Sequence, residues 1–241
     1  MLQSHDYNNE MQIITCDGHH VRNDFSCSVD FSKACLLIHG LTGTRHENGI
    51  FDILKDALEK DHYAVLRIDL RGHGDSAIAF EKASFNGMMD DVRAAYYFLN
   101  RLYQEVDVIG MSAGGALANI LADELQPRKL VLLNPVTSWR KTVQYIAQKR
   151  QRGHMVITKK PSTRFILQAL AQNPDTASKS GIPTLLLHGR EDEIVSIRIS
   201  RVFATQRPHV VFEELEGLGH VLTNHHTNIV DRTMMWLNTQ E

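Results

Sequence analysis

Two kinds of segment alternate along this chain. Short, mostly apolar runs have the character of buried strands and lie at residues 34–39, 63–69, 106–109, 129–134, 183–188 and 209–215. Between them, apolar residues recur at helical spacing at residues 50–60, 86–103, 116–125, 196–205 and 227–238. This alternation predicts an α/β fold in which helices cover both faces of a mostly parallel sheet.

Two regions depart from the alternation. Residues 11–16 and 20–29 flank Asp17-Gly18, a turn signal that predicts an antiparallel pair of strands at the sheet edge. Residues 136–180 are too long for a simple crossover and contain two helical pieces, at 139–149 and 162–171. No linker or repeat divides the chain. We therefore expect one domain over residues 1–241, with residues 136–180 inserted as a short helical lid.

The strand at 106–109 runs into Gly110-Met111-Ser112-Ala113-Gly114, and a helical stretch follows at once. In a strand–turn–helix context the G-x-S-x-G pattern indicates a nucleophilic serine. The sharp turn strains the serine backbone and crowds the neighbouring strand and helix, so the flanking glycine positions must lack bulk. The turn also places Oγ at a helix N-terminus, where free N–H groups favour negative charge. The alternative is that Ser112 merely caps the helix.

A nucleophilic serine needs a base, and the base needs a third group that fixes its tautomer and stabilises its charged form. In folds with this elbow the chain order is serine, acid, histidine. Three acids follow the strand at 183–188, namely Glu191, Asp192 and Glu193. Spacing alone does not choose among them.

The histidine is expected in the loop after the last strand, where Gly217-Leu218-Gly219-His220 supplies it. His225 and His226 are rivals, but they lie in or beside the last helix and are expected at the surface. A metal site built on these three histidines is disfavoured because no carboxylate stands at ligand spacing. We therefore take His220 as the base.

Together these motifs resemble the α/β-hydrolases of the group that contains monoacylglycerol lipases and cinnamoyl esterases. The residues that carry the resemblance are His39-Gly40, the runs 69–76 and 188–195, Gly110 to Gly114, and Gly219-His220. The resemblance implies a serine hydrolase without a cofactor. Its pattern HG-x-x-D-x-x-V places the acid at Asp192, and it implies an oxyanion hole formed by the N–H groups of Leu41 and Ala113. His39, His73 and His188 recur in turn motifs, and we interpret them as structural hydrogen-bonding residues.

Composition and charge limit the classes of partner and the cellular location that we expect. The net charge of −2 gives no reason to expect nucleic acid or an anionic membrane as a partner. No apolar run approaches the roughly 20 residues that span a bilayer. Cys16, Cys27 and Cys35 show neither a disulfide framework nor zinc spacing. The first residues also lack a basic and an apolar signal region. We expect a cytoplasmic enzyme with a small-molecule substrate.

Charge is distributed unevenly. Residues 136–180 carry +8 and the rest of the chain carries −10. The basic residues of the lid are Arg140, Lys141, Lys149, Arg150, Arg152, Lys159, Lys160, Arg164 and Lys179. One interpretation is a solvated face; the other is that Lys149, Arg150 and Arg152 attract an anionic substrate, bound to CoA or to a carrier protein. Trp139 and Met111 are candidates for the pocket wall, with core packing as the alternative.

These observations favour a serine hydrolase that cleaves a carboxylic ester or thioester through an acyl-enzyme. An acyltransferase or cyclase would use the same residues with an acceptor other than water. An aminopeptidase-like amide hydrolase is disfavoured because no acidic cluster is available for an α-amine. A binding protein on a hydrolase scaffold is disfavoured because all three expected residues are present.

Overall fold

The computed structural model describes residues 10–27, 31–152, 160–172, 181–222 and 226–239. Its centre is a seven-stranded sheet with the strand order β1-β3-β2-β4-β5-β6-β7. The strands are β1 Arg22–Ser26, β2 Lys33–Ile38, β3 Tyr63–Asp69, β4 Glu105–Met111, β5 Leu130–Leu133, β6 Thr184–Gly189 and β7 Val210–Leu215. Neighbouring strands are parallel except β1, which pairs antiparallel with β3. The predicted α/β fold with a mostly parallel sheet is confirmed.

Seven α-helices accompany the sheet among the described residues. They are α1 Ile50–Lys60, α2 Phe85–Asn100, α3 Ala113–Leu125, α4 Trp139–Gln151, α5 Thr163–Ala171, α6 Ile197–Thr205 and α7 His226–Asn238. Helices α1 and α7 contact each other on one face, and α2 and α3 pack together on the other. The sheet is therefore covered on both sides.

The burial of β2 on both faces explains why the sequences of the central strands are continuous apolar runs. Successive side chains of a strand point to opposite faces. Leu36 and Ile38 belong to the core cluster under α2 and α3, whereas Cys35 and Leu37 belong to the cluster under α1. Because each face is covered by helices, both sets must be apolar.

The predicted N-terminal hairpin is present only close to its turn, and residues 11–16 do not form a strand of the sheet. Ile14 and His20 form only an isolated antiparallel bridge, and β1 pairs instead with β3. The Asp17 carboxylate binds Arg71, and the Asn23 side chain bonds both the N–H and the C=O of Met11. Across the turn, the N–H of Thr15 donates to the His19 carbonyl and the N–H of Val21 donates to the Ile13 carbonyl, both at 2.9 Å. Residues 28–30, at the end of the second predicted strand, lie outside the described residues.

Helices α4 and α5 lie between β5 and β6, within residues 136–180. Trp139 at the start of α4 and Phe165 of α5 pack edge-on against Phe85 of α2, with ring centroids 5.4 and 5.5 Å from Phe85. An aromatic cluster thus anchors these two helices on α2. Residues 153–159 and 173–180 lie outside the described residues. In the part of the chain that is described, no helix is long and apolar enough to cross a bilayer.

Candidate active site

Ser112 occupies the corner between β4 and α3 with φ +52° and ψ −114°, a conformation that L-residues seldom adopt. The glycines around it are required by close approach. A Cβ on Gly110 would lie 2.6 Å from the carbonyl oxygen of Gly114, and one on Gly114 would lie 2.2 Å from that of Ile38. The Ser112 side chain makes no capping bond to α3. The corner therefore presents Oγ away from the helix it precedes.

His220 and Asp192 complete a continuous line of hydrogen bonds with Ser112. Oγ of Ser112 lies 2.9 Å from Nε2 of His220, and Nδ1 of His220 lies 2.8 Å from Oδ2 of Asp192. Because an ionised carboxylate only accepts, Nδ1 carries the proton and Nε2 accepts from the hydroxyl. This is the tautomer that a general base requires. The three side chains come from loops after β4, β6 and β7, which meet at the carboxyl edge of the parallel sheet.

Asp192 is buried and well supplied with donors. Its Oδ1 accepts from the N–H groups of Ile194 and Val195, both at 2.8 Å. Burial alone raises its pKa, but hydrogen bonds from His188 and His220 outweigh burial and lower the pKa to about 2. The carboxylate is therefore ionised at neutral pH.

The neighbouring acids are placed differently from Asp192. Glu191 and Glu193 are both exposed. Glu193 reaches His220 only at its backbone, where Oε2 accepts the N–H at 3.2 Å. Of the three consecutive acids Glu191, Asp192 and Glu193, the fold brings only the side chain of Asp192 to the imidazole ring of His220. His225 and the side chain of His226 lie outside the described residues.

The N–H groups of Leu41 and Ala113 are available near Ser112. Within the described residues, neither N–H donates to a protein acceptor. The peptide that carries the Leu41 N–H is held by its other end, because the Gly40 carbonyl accepts from Nδ1 of His39 at 2.7 Å and from the N–H of Gly43 at 3.1 Å. Since C=O and N–H point in opposite directions across a trans peptide, these bonds direct the Leu41 N–H the other way.

His39 is suited to this task because its tautomer is fixed. Its ring is fully buried, and Nε2 accepts from the N–H of Leu70 at 3.0 Å, which leaves Nδ1 as the donor to Gly40. Burial, assisted by the neighbouring His73, lowers the pKa of His39 to about 4, so the ring is neutral at physiological pH. The three histidines interpreted as structural all contact a backbone carbonyl: His39 that of Gly40, His73 that of Arg71 and His188 that of Val195.

A sequence profile of the alpha/beta hydrolase fold family matches residues 33–154, just over half of the chain. The chain belongs to this family. A thermostable monoacylglycerol lipase from Bacillus sp. (strain H-257) is 35% identical over 88 residues, covering 36% of this chain and 34% of that protein. A putative esterase/lipase from Haemophilus influenzae is 36% identical over 100 residues, covering 40% of this chain and 32% of that protein.

The match thus spans about a third of the length of these curated relatives. Solved structures resemble nearly the whole chain. Est1E from Butyrivibrio proteoclasticus with bound ferulic acid has a TM-score of 0.80 at 20% identity, over 93% of this chain and 96% of that one. The Pyrococcus furiosus esterase Pf2001 has a TM-score of 0.77 at 20% identity, over 96% and 92%. At this identity the likeness establishes the α/β-hydrolase fold.

Two supporting residues of this α/β-hydrolase site were not found from the sequence. Asn134 follows β5 with φ +43° and is fully buried. Its Nδ2 donates to the carbonyls of Gly219 and His220 at 3.0 and 2.9 Å, and its Oδ1 accepts from the N–H of Gly189 at 2.8 Å. One side chain therefore ties the loop of His220 to the loop that carries Asp192. The signal that was available is a polar residue at the carboxyl end of a buried strand.

Glu47 is the second residue that was missed. It sits on a short 3-10 turn with φ +41°, is 4% exposed, and its Oε2 accepts the N–H of Gly40. A Cβ on Gly43 would lie 2.6 Å from this oxygen, so the loop and the carboxyl group fit closely. Burial raises the pKa of Glu47, and the charge of His220 acts in the opposite direction. The carboxyl group therefore lies within electrostatic reach of the candidate base.

The predicted substrate-binding residues have different surroundings. Met111 is buried in the core cluster on the α1 side of the sheet, and Trp139 is 8% exposed in its aromatic cluster. Lys149 lies over the ring of Tyr145 at 5.4 Å from its centroid, while Arg150 and Arg152 are exposed. Packing therefore accounts for Met111, and the structure brings none of the three basic side chains into the hydrogen-bonded line of Ser112.

One open cavity of about 490 Å³ is found elsewhere, between residues 12–16 and the outer side of α2. Arg93, Tyr97 and Arg101 line it, and none of the residues around it belongs to the Ser112 site. Across the described ranges, no group of three His, Cys, Asp or Glu side chains is arranged to hold a metal ion.

Proposed function

We propose that this α/β-hydrolase cleaves carboxylic esters or thioesters through an acyl-enzyme on Ser112, with His220 as general base and Asp192 as the acid that orients it. The observation that carries the proposal is the line Ser112 Oγ to His220 Nε2 at 2.9 Å and His220 Nδ1 to Asp192 Oδ2 at 2.8 Å. The base lies within hydrogen-bond reach of both the nucleophile and the orienting group, as covalent catalysis requires.

In the first step, Oγ of Ser112 attacks the carbonyl carbon while its proton passes to Nε2 of His220. The carbonyl oxygen becomes an oxyanion that accepts from the N–H groups of Leu41 and Ala113, each contributing about 3 kcal/mol. The bond to the leaving alcohol or thiol then breaks, and His220 returns the proton to it. Water repeats the sequence on the acyl-enzyme, releases the carboxylic acid and restores Ser112.

The lid suggests the substrate class. Within the described residues, Arg140, Lys141, Arg150 and Arg152 have no carboxylate within ion-pair distance. An unneutralised basic helix attracts anions over a long range. We extend the proposal to an acyl group carried on an anionic leaving group, such as a CoA thioester or an acidic carrier protein. The curated relatives, named as a monoacylglycerol lipase and an esterase/lipase, support ester hydrolysis in general.

Trp139 is a candidate for contact with the acyl group. Its indole N–H is buried and, in the described part of the chain, has no acceptor. Val136 donates its N–H to the carbonyl of Ser112 at 3.0 Å, and Trp139 follows three residues later, a span of at most about 10 Å of chain. A buried donor without a partner fits an oxygen on the substrate.

The test is covalent labelling by a fluorophosphonate, followed by peptide mapping. We expect one labelled residue, with labelling abolished in Ser112→Ala and reduced to background in His220→Ala. Labelling that persists in Ser112→Ala would remove the nucleophile assignment. Steady-state rates on matched oxygen esters, acyl-CoA thioesters and aminoacyl amides then identify the leaving group. If aminoacyl amides are hydrolysed faster than esters, the protein is a peptidase and the esterase assignment is wrong. If the acyl group is transferred to added alcohols or amines, the protein is an acyltransferase.

A further inference from the structure

Asp192 lies between two imidazole rings. Its Oδ2 is 2.8 Å from Nδ1 of His220 and 3.2 Å from Nε2 of His188. We propose that His188 is a positioning residue that donates a second hydrogen bond to the same carboxylate oxygen that orients His220. This inference rests on the proposed function, because it assigns a role within that hydrogen-bonded line.

The tautomer of His188 follows from its neighbours. Nε2 faces two oxygens that carry no hydrogen, the Val195 carbonyl at 3.0 Å and the Asp192 carboxylate. Nε2 must therefore be the N–H nitrogen. Nδ1 is left as an acceptor, and the hydroxyl of Ser200 on α6 donates to it at 2.9 Å. His188 and Ser200 are both fully buried, so no water competes for these bonds.

The four donors on Asp192 divide into two pairs. The N–H groups of Ile194 and Val195 hold Oδ1, His220 holds Oδ2, and the one Nε2–H of His188 is shared between Oδ2 at 3.2 Å and the Val195 carbonyl at 3.0 Å. With both oxygens fixed, the carboxylate cannot rotate out of the plane that meets His220. A loop with only the two backbone donors would leave Oδ2 held by His220 alone.

The second donor has a chemical consequence beyond position. A hydrogen bond from His188 withdraws negative charge from Oδ2, so the carboxylate stabilises protonated His220 less than it otherwise would. Loss of this donor is therefore expected to favour protonated His220, the form that cannot accept the serine proton. The other acids that face His220 are Glu47 on the loop after β2 and Glu193 at the backbone N–H. Both remain in place when His188 is changed.

The experiment compares His188→Leu, which keeps bulk and loses the donor, with His188→Gln, whose amide N–H₂ reaches the same position. The measurement is the second-order rate constant for labelling by a fluorophosphonate from pH 5 to 9. The acid limb of this pH–rate profile is the pH range in which the labelling rate falls because His220 takes up a proton. This readout needs no knowledge of the natural substrate.

In His188→Leu we expect the acid limb to move to higher pH by roughly half a unit to one unit, the size expected for one hydrogen bond to a charged group acting indirectly. In His188→Gln we expect it to stay within about 0.2 unit of wild type. A lower rate in His188→Leu with an unmoved limb would mean that His188 only fills space, and it would overturn the inference. An equal shift in both variants would overturn it as well.

A measurement on the unaltered protein covers the case in which His188→Leu does not fold. With ¹⁵N-labelled histidine, the His188 ring should show its proton on Nε2 and none on Nδ1, and this resonance should move when Ser112 is labelled. A proton on Nδ1 would overturn the inference. Failure of the proposed function is distinguishable, because wild-type protein would then show no labelling that depends on Ser112 at any pH.

Discussion

Asp192→Asn is the substitution for which the geometry gives the clearest expectation. Oδ1 of Asp192 accepts from two backbone N–H groups at 2.8 Å, and an amide NH₂ cannot accept. In Asp192→Asn the amide oxygen must therefore take the Oδ1 position. The amide nitrogen then takes the Oδ2 position and turns its hydrogens toward Nδ1 of His220.

The resulting tautomer is the wrong one. Nδ1 of His220 has to accept, so Nε2 carries the proton and cannot take another from Ser112. The same NH₂ group also faces the Nε2–H of His188, where two donors oppose each other. In the best-studied Ser-His-Asp enzyme the corresponding change lowers kcat about 10⁴-fold. That factor equals about 5.4 kcal/mol of transition-state stabilisation, at 1.36 kcal/mol per tenfold, and we expect a loss of at least this size.

The assay is kcat on an activated ester for Asp192→Asn beside Glu191→Gln and Glu193→Gln. Glu193→Gln removes one exposed hydrogen bond to the His220 backbone, so we expect it to lose less than about tenfold. Histidine ¹⁵N shifts should show the His220 proton moved to Nε2 in Asp192→Asn. A loss of kcat in Asp192→Asn smaller than about 10³-fold, or an inactive Glu193→Gln beside an active Asp192→Asn, would refute the reasoning.

Two further predictions concern acid stability and the lid. Burial lowers the pKa of His39 from 6.5 to about 4, so as the pH falls between these values the unfolded chain takes up a proton that the folded chain refuses. The free energy of unfolding should drop by up to about 3 kcal/mol across this range. Urea denaturation at pH 7 and pH 4.5 measures this drop, which should be smaller in His39→Gln than in the wild type. Equal drops in the two proteins would contradict the role assigned to His39. Reversing Lys149, Arg150 and Arg152 to Glu should lower kcat/KM for an acyl-CoA, most at low salt, and leave kcat on a neutral ester unchanged. Reversing Lys60, Arg101 and Arg198 changes the net charge equally and should have little effect; equal losses in both variants would contradict recruitment by the lid.

The framework could be predicted because each element carries its own signal. The apolar run of β3 and the periodicity of α1 lie at the observed bounds, Tyr63–Asp69 and Ile50–Lys60. The elbow at Ser112 could also be predicted, since its glycines are adjacent in sequence. Parallel strands then bring the loops of Ser112, Asp192 and His220 to one edge, whatever the packing detail.

What could not be predicted depends on contacts between distant residues. The side chain of Asn134 accepts a hydrogen bond from the N–H of Gly189, 55 residues away, and the carboxylate of Asp17 accepts one from Arg71, 54 residues away. Neither partner is visible in a local pattern. Glu47 was missed for a related reason: a glutamate on an irregular turn is usually exposed, and only the folded loop shows it buried against Gly40.

The distribution of backbone strain gives independent support to the location of the site. Among the described residues, eight that are not glycine have positive φ. Six of them lie in loops that follow strands at the carboxyl edge: Thr42, Glu47, Asn48, Ser112, Asn134 and Leu222. Conformations of this kind cost about 1–3 kcal/mol each and persist only where the surrounding structure enforces them. Turns at the opposite edge connect helices to strands of the same sheet yet hold only His62 and Gln126 in this region. Strain therefore gathers where Ser112, His220 and the Leu41 N–H must be held in place, and the buried sheet beneath them supplies the stability that offsets it.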